Sequence, residues 1–413
     1  MSNNRVVITG LGAVTPIGIG IEEFWESLLA GRNGIGKITQ FDATGFRSQL
    51  AAEVKDFNAE DWLDKKSVGR MDRFTLFALA ASLMATKDSG LDSFDFDGNR
   101  AGVIVGSGIG GMQTINEGFQ TLNTKGPKGL NPFFISKLLI NMAACMISIK
   151  YGLKGPLSAP SVACSTGSNA IGDAFRIIQR GDADIMFAGG TEACISPLAY
   201  GGFCATRSMT PSTNPTNASR PFDKDRDGFV MGEGAGILIL ENLQHALKRK
   251  TKIYAEIAGY ASTADAYHFT APHPQSDGMI RVMQAALDDA GMKPEQVEYI
   301  NAHGTSTVLN DKCESAAISK VFGDRAKTLK VSSIKSMIGH LLAAAGAVEF
   351  ISTVKSIYTG KLPPTINYET PDPDCPLDYV TNKTETIELN TAMSNSFGFG
   401  GGNACLIANK YRG

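Results

Sequence analysis

The chain has no CxxC pair, and its seven cysteines, at 145, 164, 194, 204, 313, 375 and 405, are an odd number. Both facts argue against a disulfide framework and a structural zinc site. Excess charge is also missing. With 39 basic and 41 acidic residues the formal charge is -2, so no overall field attracts nucleic acid or an anionic membrane. A charged partner must use a local patch. Long apolar runs are absent too: the longest helical candidate, LLAAAGAVEFI at 341–351, carries Glu349 and is too short to cross a bilayer. The opening MSNNRVVITGLGAVTPIG has one Arg before a short apolar run broken by Gly10, Gly12 and Pro16. It reads as a strand and turn rather than a signal peptide. A reducing, cytoplasmic setting is expected.

What is present is ample core material. Hydrophobic residues make up 43% and charged residues 19% of 413 positions, more chain than one core usually serves, so two fused halves are expected. Short β-branched runs alternate with helical patterns, as in an α/β protein of crossover units. Strands are expected at 5–10, 101–106, 183–190, 234–240, 253–262, 297–304, 391–398 and 403–409, mostly apolar on both faces and hence covered on both sides. Helices are expected at 21–30, 72–89, 132–150, 165–180, 277–290 and 340–359, most of them closed by a glycine suited to a left-handed cap. RVVITGLGAVTP is echoed by IYAEIAGYASTAD, AGVIVGSGIGG by VEYINAHGTST, and ADIMFAGGTEACIS by TAMSNSFGFGGGNACLIA. The echo divides the chain into halves 1–250 and 251–413, packed face to face.

Cys164 lies where a short apolar run meets the small residues of ACSTG and then an amphipathic helix. A sharp turn there lifts the sulfur to a helix N-terminus, which favours the thiolate. A buried structural cysteine is the plainer reading of any single cysteine; the turn favours the nucleophile. His303 ends the run VEYINAHGTST, and strand ends in α/β sheets are where sites gather. His340, after Gly339 and before LLAAAGA, is expected at a helix N-terminus, where the dipole keeps the ring neutral. The other three histidines, 245, 268 and 273, read as surface residues.

VACSTG around Cys164, NAHGTST around His303, KSMIGH around His340 and NSFGFGG at 395–401 resemble the elongating β-ketoacyl-acyl-carrier-protein synthases. So do ITGLGAVTPIG near the start and SRPFDKDRDGFVMGEGAG at 219–236. The resemblance implies the thiolase fold, two pseudo-repeated halves in five α-β-α-β-α layers. It implies an acyltransferase of fatty acid elongation: Cys164 takes the acyl chain, and malonyl on a carrier loses carbon dioxide before two neutral histidines. It assigns the acyl-Cys oxyanion to the N–H groups of Cys164 and Phe399, with Phe399 gating the pocket. Lys335 would order the site around His340, Thr305 and Thr307 would face the malonyl-carrier side, and Glu349 would be a structural support. It further implies an acyl-carrier partner in acyl and malonyl forms, a homodimer, and no cofactor or metal. Ile109 would face the acyl chain, with Phe133 and Phe134 near the subunit interface and acyl pocket. Two positions depart from the pattern: Ile338 and Gly402 stand where the family has threonine.

GSGIGG at 106–111 fits a dinucleotide fingerprint, but MQTINEGFQTLNTKGPKG after it offers no clear βαβ continuation and no acidic residue at the expected distance. DKDRDG at 223–228 imitates a calcium loop but has Gly234 at position twelve, so it reads as a solvated structural loop. Lys65, Lys66, Arg70 and Arg73 form a basic cluster, either a solvated face or a dock for an acidic carrier. Rival functions are a thiolase or chain-initiating synthase using coenzyme A, against which His340 tells, a polyketide-type ketosynthase, and a non-catalytic chain-length-factor-like subunit, against which Cys164 tells.

Overall fold

The computed structural model describes residues 4–413, so Met1–Asn3 of the opening segment lie outside it. The first half contributes five strands to the main path of the large sheet, in chain order Val6–Thr15, Ala101–Gly106, Leu157–Ser158, Ile185–Glu192 and Gly234–Asn242, with Gly18–Ile19 pairing off that path. They lie side by side as first, fifth, fourth, second, third. The second half contributes Ala255–Ala264, Tyr299–Asn301, Lys330–Ser332, Thr391–Phe397 and Gly402–Asn409 in the same spatial order, with Asp378–Tyr379 added beyond the third. The repeated order is the three-dimensional form of the sequence echo: each echoed pair occupies matching places. The two first strands pair antiparallel over Val6–Ile8 and Ala255–Ile257, joining the halves into one sheet at that seam.

Helices Thr166–Arg180 and Ala345–Thr359 pack against each other and lie between the two half-sheets. Arg73–Ser89 and Met142–Tyr151 cover the outer face of the first half, and Asp277–Ala290 and Val308–Phe322 that of the second. The result is five layers, α-β-α-β-α. Three apolar clusters fill the spaces between them. Central strands such as Ile185–Glu192 and Thr391–Phe397 are buried at every residue, which is why they carry no polar alternation.

Three expectations need correction. The segment 132–150 is not one helix but two, Phe134–Leu138 and Met142–Tyr151, separated at Leu139–Asn141. The last helix begins at Ala345, so His340 precedes it by five residues and lies in a bridge to Met231. A helix, Met112–Lys125, does follow GSGIGG, so the strand-turn-helix outline denied to that motif exists. Among the described residues no helix is long and apolar enough to cross a membrane.

Candidate active site

Cys164 sits in the tight turn Ala163–Ser165 that runs directly into helix Thr166–Arg180. Ala163 takes a positive φ of 46°, a strained choice for a residue with a side chain, in the turn that sets Cys164 against a cavity lined by residues of both halves. Thr166 Oγ1 braces the turn, accepting from the Val162 N–H at 2.8 Å and donating to the Ala163 carbonyl at 2.8 Å. His303 follows strand Tyr299–Asn301, and buried Glu314 on helix Val308–Phe322 fixes it by accepting the N–H groups of His303 and Gly304, each at 2.8 Å. His340 is held by its own backbone, whose N–H donates to the Val230 carbonyl at 2.7 Å.

These three side chains line one cavity of about 330 Å³ together with Thr305, Thr307, Phe229 and Phe399. The two imidazoles stand with ring centroids 5.3 Å apart at 86°. Burial first, then the Lys335 charge, holds both well below the ordinary histidine range, so the rings are neutral. The sequence attributed this neutrality at His340 to a helix dipole; the helix starts too late, and burial is the cause. Each Nδ1 already accepts a hydrogen bond, from Lys335 Nζ at 3.4 Å for His303 and from the Leu342 N–H at 3.3 Å for His340. A neutral ring with Nδ1 as acceptor carries its proton on Nε2. Both histidines therefore offer an Nε2–H donor.

Lys335 is buried and paired with buried Glu349. Its second bond goes to His303, not to His340 around which the resemblance placed it. Thr305 and Thr307 share a hydroxyl contact at 2.9 Å, and Thr307 also caps helix Val308–Phe322. Burial pushes the Cys164 thiol up to about 11, while the Phe399 N–H and the Lys335 charge oppose the shift. The resting group is thus a thiol, where the sequence suggested a thiolate.

The remaining expected residues divide. Ile109 packs in the apolar cluster that contains Cys164, Met112, Phe203 and Leu342. Phe133 and Phe134 do not line the cavity of their own chain; they line a surface groove with Lys65, Lys66 and Arg70. Arg70 stacks over Phe133 at 5.0 Å. Arg73 leaves the cluster: it pairs with buried Glu233 at 2.8 Å and lies over Phe77 at 4.5 Å. Ile338 is core, and Val162 fills the space a side chain at Gly402 would need, 2.6 Å from that Cβ position. The DKDRDG loop is half solvated: Lys224, Asp225 and Asp227 are exposed, while Asp223 and Arg226 are buried, with Arg226 between Asp372 at 2.5 Å and Asp311 at 3.7 Å. Cys405 is a buried strand residue paired in register with Asn395. Among the described residues no group of three or more His, Cys, Asp or Glu side chains is arranged to hold a metal ion.

Sequence reasoning missed Glu314 and Glu192. Each is an interior carboxylate in a helix or strand, and nothing local distinguishes such a residue from a surface one. The signal that existed is positional: Glu192 ends an otherwise apolar strand run.

Comparison with known proteins decides the family. Residues 3–246 match the β-ketoacyl synthase N-terminal domain and residues 254–369 the β-ketoacyl synthase C-terminal domain. The chain belongs to the β-ketoacyl synthase family. It is 52% identical over 409 residues to 3-oxoacyl-[acyl-carrier-protein] synthase 2 of Staphylococcus aureus strain N315, covering 99% of each chain. It is 51% identical over 413 residues to the synthase 2 of a Synechocystis species, covering 100% of this chain and 99% of that one. A solved ketosynthase of a type II polyketide system, in complex with its acyl-carrier protein, superposes with a TM-score of 0.92 at 38% identity, covering 99% of this chain and 100% of that one. This family member is accordingly an acyltransferase with the thiolase fold, as its motifs implied.

Proposed function

We propose that this protein is an elongating β-ketoacyl-acyl-carrier-protein synthase in which Cys164, His303 and His340 do the chemistry. The observation that carries the reading is the shared cavity with a thiol and two neutral Nε2–H donors. Cys164 sulfur attacks the carbonyl of an acyl-carrier thioester; the C–S bond to the carrier breaks, and the thiol proton leaves with the carrier sulfur. Malonyl-carrier then loses carbon dioxide, and the electron pair of the broken C–C bond becomes an enolate whose oxygen meets the two Nε2–H groups. The enolate carbon attacks the acyl-Cys164 carbonyl, and collapse of that adduct expels the Cys164 sulfur, which takes up one proton. The product is a 3-oxoacyl chain on the carrier, two carbons longer.

The N–H groups of Cys164 and Phe399 would hold the oxyanion of the acyl-Cys adduct. Support comes from the Phe399 N–H facing the sulfur and from Gly398, where a Cβ would lie 3.3 Å from the Cys164 nitrogen and 2.9 Å from the Val162 carbonyl oxygen. Lys335 would act through His303, and Phe399, beside Phe203 at 6.5 Å, would gate the acyl side. Thr305 and Thr307 would meet the malonyl-carrier arm.

An acyl-carrier partner is supported by the polyketide ketosynthase solved with one. Lys65, Lys66 and Arg70 are exposed around the second groove and would dock it. A homodimer is supported by exposed apolar side chains on packed neighbouring elements: Phe119 at 66%, Ile135 at 62%, Ile149 at 70% and Leu157 on the edge strand at 44%. The repeated strand order supports a division into halves at 250/251. A cytoplasmic setting is supported by seven cysteines that are all free. Fatty acid elongation is favoured over polyketide synthesis by the 52% identity to a synthase 2 against 38% to the polyketide ketosynthase.

Incubation with a panel of acyl-carriers, followed by peptide mass spectrometry, tests the reading. Acyl mass on Cys164 supports it, and the preferred adducts give the chain length. Full condensing activity in Cys164→Ala would overturn it.

A further inference from the structure

Gly106–Gly111 has the outline of a phosphate-binding turn, yet its Gly108 and Ile109 N–H groups are already occupied by the protein's own Glu192 carboxyl group. Glu192, the last residue of strand Ile185–Glu192, is fully buried. Buried Glu233, Glu241 and Glu349 pair with Arg73, Arg249 and Lys335, whereas the partners of Glu192 are neutral. It accepts from Ser107 Oγ at 2.9 Å, the Gly108 N–H at 3.0 Å and the Ile109 N–H at 3.3 Å. The Ala343 N–H faces the same carboxylate. Without that carboxylate these donors would be left buried and unpaired.

The donors come from two segments far apart in the chain, Ser107–Ile109 and Ala343. In the first segment, Ile109 packs against the cluster of Cys164, Met112 and Phe203, and the Gly108 carbonyl accepts from Ser161 Oγ at 3.3 Å, just upstream of the nucleophile turn. In the second, Ala343 belongs to the turn Leu342–Ala344, whose first N–H donates to His340 Nδ1. A Cβ on Gly108 would lie 2.8 Å from Glu192 Oε2 and 3.6 Å from the Ala343 Cβ, so the three segments meet with no room for a side chain.

We infer that Glu192 is a positioning residue that sets acyl-chain selectivity, by fixing the Ile109 turn over Cys164 and tying it to the turn behind His340. The inference rests on Cys164 carrying the acyl group. A chain that extends past Ile109 must displace that turn, which stretches its bonds to the Glu192 carboxylate as well as the Ser161 contact to the Gly108 carbonyl. The same carboxylate transmits the displacement to Ala343, beside the histidine chamber.

The test compares full-length wild type, Glu192→Gln and Gly108→Ala, using short and long acyl-carriers. Intact mass follows acylation of Cys164, and carbon dioxide release from malonyl-carrier without an acyl donor reads the histidine chamber. The expected result is a shift of about tenfold in the long-to-short acylation ratio, in the same direction in both variants and larger than the change in carbon dioxide release. Gly108→Ala keeps the carboxylate but displaces it, so it decides the matter should Glu192→Gln fail to fold. A ratio within about twofold of wild type in a folded variant overturns the inference. So does one common factor of loss across every chain and carbon dioxide release. Wild-type protein that takes no acyl group on Cys164 overturns the underlying function instead.

Discussion

Lys335 donates to His303 Nδ1 at 3.4 Å while its ammonium is paired with Glu349, so one buried cation sets both the tautomer of the ring and the charge balance beneath it. Replacing Lys335 by Met strands the Glu349 carboxylate in the core. The expected cost is about 3–5 kcal/mol of stability, read by chemical denaturation. The double change Lys335→Met with Glu349→Leu should recover much of that loss, because no unpaired charge remains. If the single and double variants are equally unstable, the pair is not the source.

The two Nε2–H donors carry a second prediction. His303→Ala and His340→Ala should each lower carbon dioxide release from malonyl-carrier by roughly a hundred- to thousand-fold, the usual effect of removing one donor from a developing oxyanion. Acylation of Cys164 should fall less. Equal losses in both half-reactions would mean the rings act on the thiol rather than on the enolate.

The sulfur itself shows where sequence reading ends. The turn at ACSTG, the following helix and the covering of strands on both faces follow from local composition, and the structure keeps them. The charge state of Cys164 does not, because burial is set by segments scattered along the chain from Ala51 to Leu342. Desolvation pushes the thiol up to about 11, against the Phe399 N–H and the Lys335 charge. The same limit explains Arg73, whose neighbours in sequence are exposed cations but whose partner is Glu233. It also explains Glu192, whose donors Gly108, Ile109 and Ala343 come from two distant turns.

A raised thiol pKa has a direct kinetic signature. Alkylation of Cys164 by iodoacetamide should rise about tenfold per pH unit from pH 7 to 9, since the thiolate fraction grows in that proportion below about 11. A rate flat over that range would indicate a thiolate already formed at neutral pH, and the burial argument would be wrong.

Glu314 gives a stability signature of defined sign. Burial raises its carboxyl from an ordinary 4.5 to about 7, so the folded chain holds this proton more tightly than the unfolded chain does. Its contribution is complete below about 4.5 and is lost as pH rises to about 7, on the order of 3 kcal/mol in all. His303 and His340, held well below 6.5, act in the opposite direction, losing stability as pH falls. Subtracting the denaturation profile of Glu314→Gln from that of wild type isolates the carboxylate. A difference that stays constant from pH 4.5 to 7 would contradict the shift.

Carrier docking separates the four cations of the basic cluster. Lys65→Ala and Arg70→Ala should raise the KM for acyl-carrier, with an effect that shrinks as salt is added, because these side chains are exposed and screened. Arg73→Met should behave differently. It removes the partner of buried Glu233, which accepts from Arg73 Nε at 3.1 Å and also from the Val54 N–H at 3.0 Å and Gln40 Nε2 at 2.9 Å. The loss should therefore appear as about 3–5 kcal/mol of stability and not as a salt-sensitive KM. A salt-dependent KM change in folded Arg73→Met would return Arg73 to the docking face, and a salt-independent KM in wild type would remove the docking face altogether.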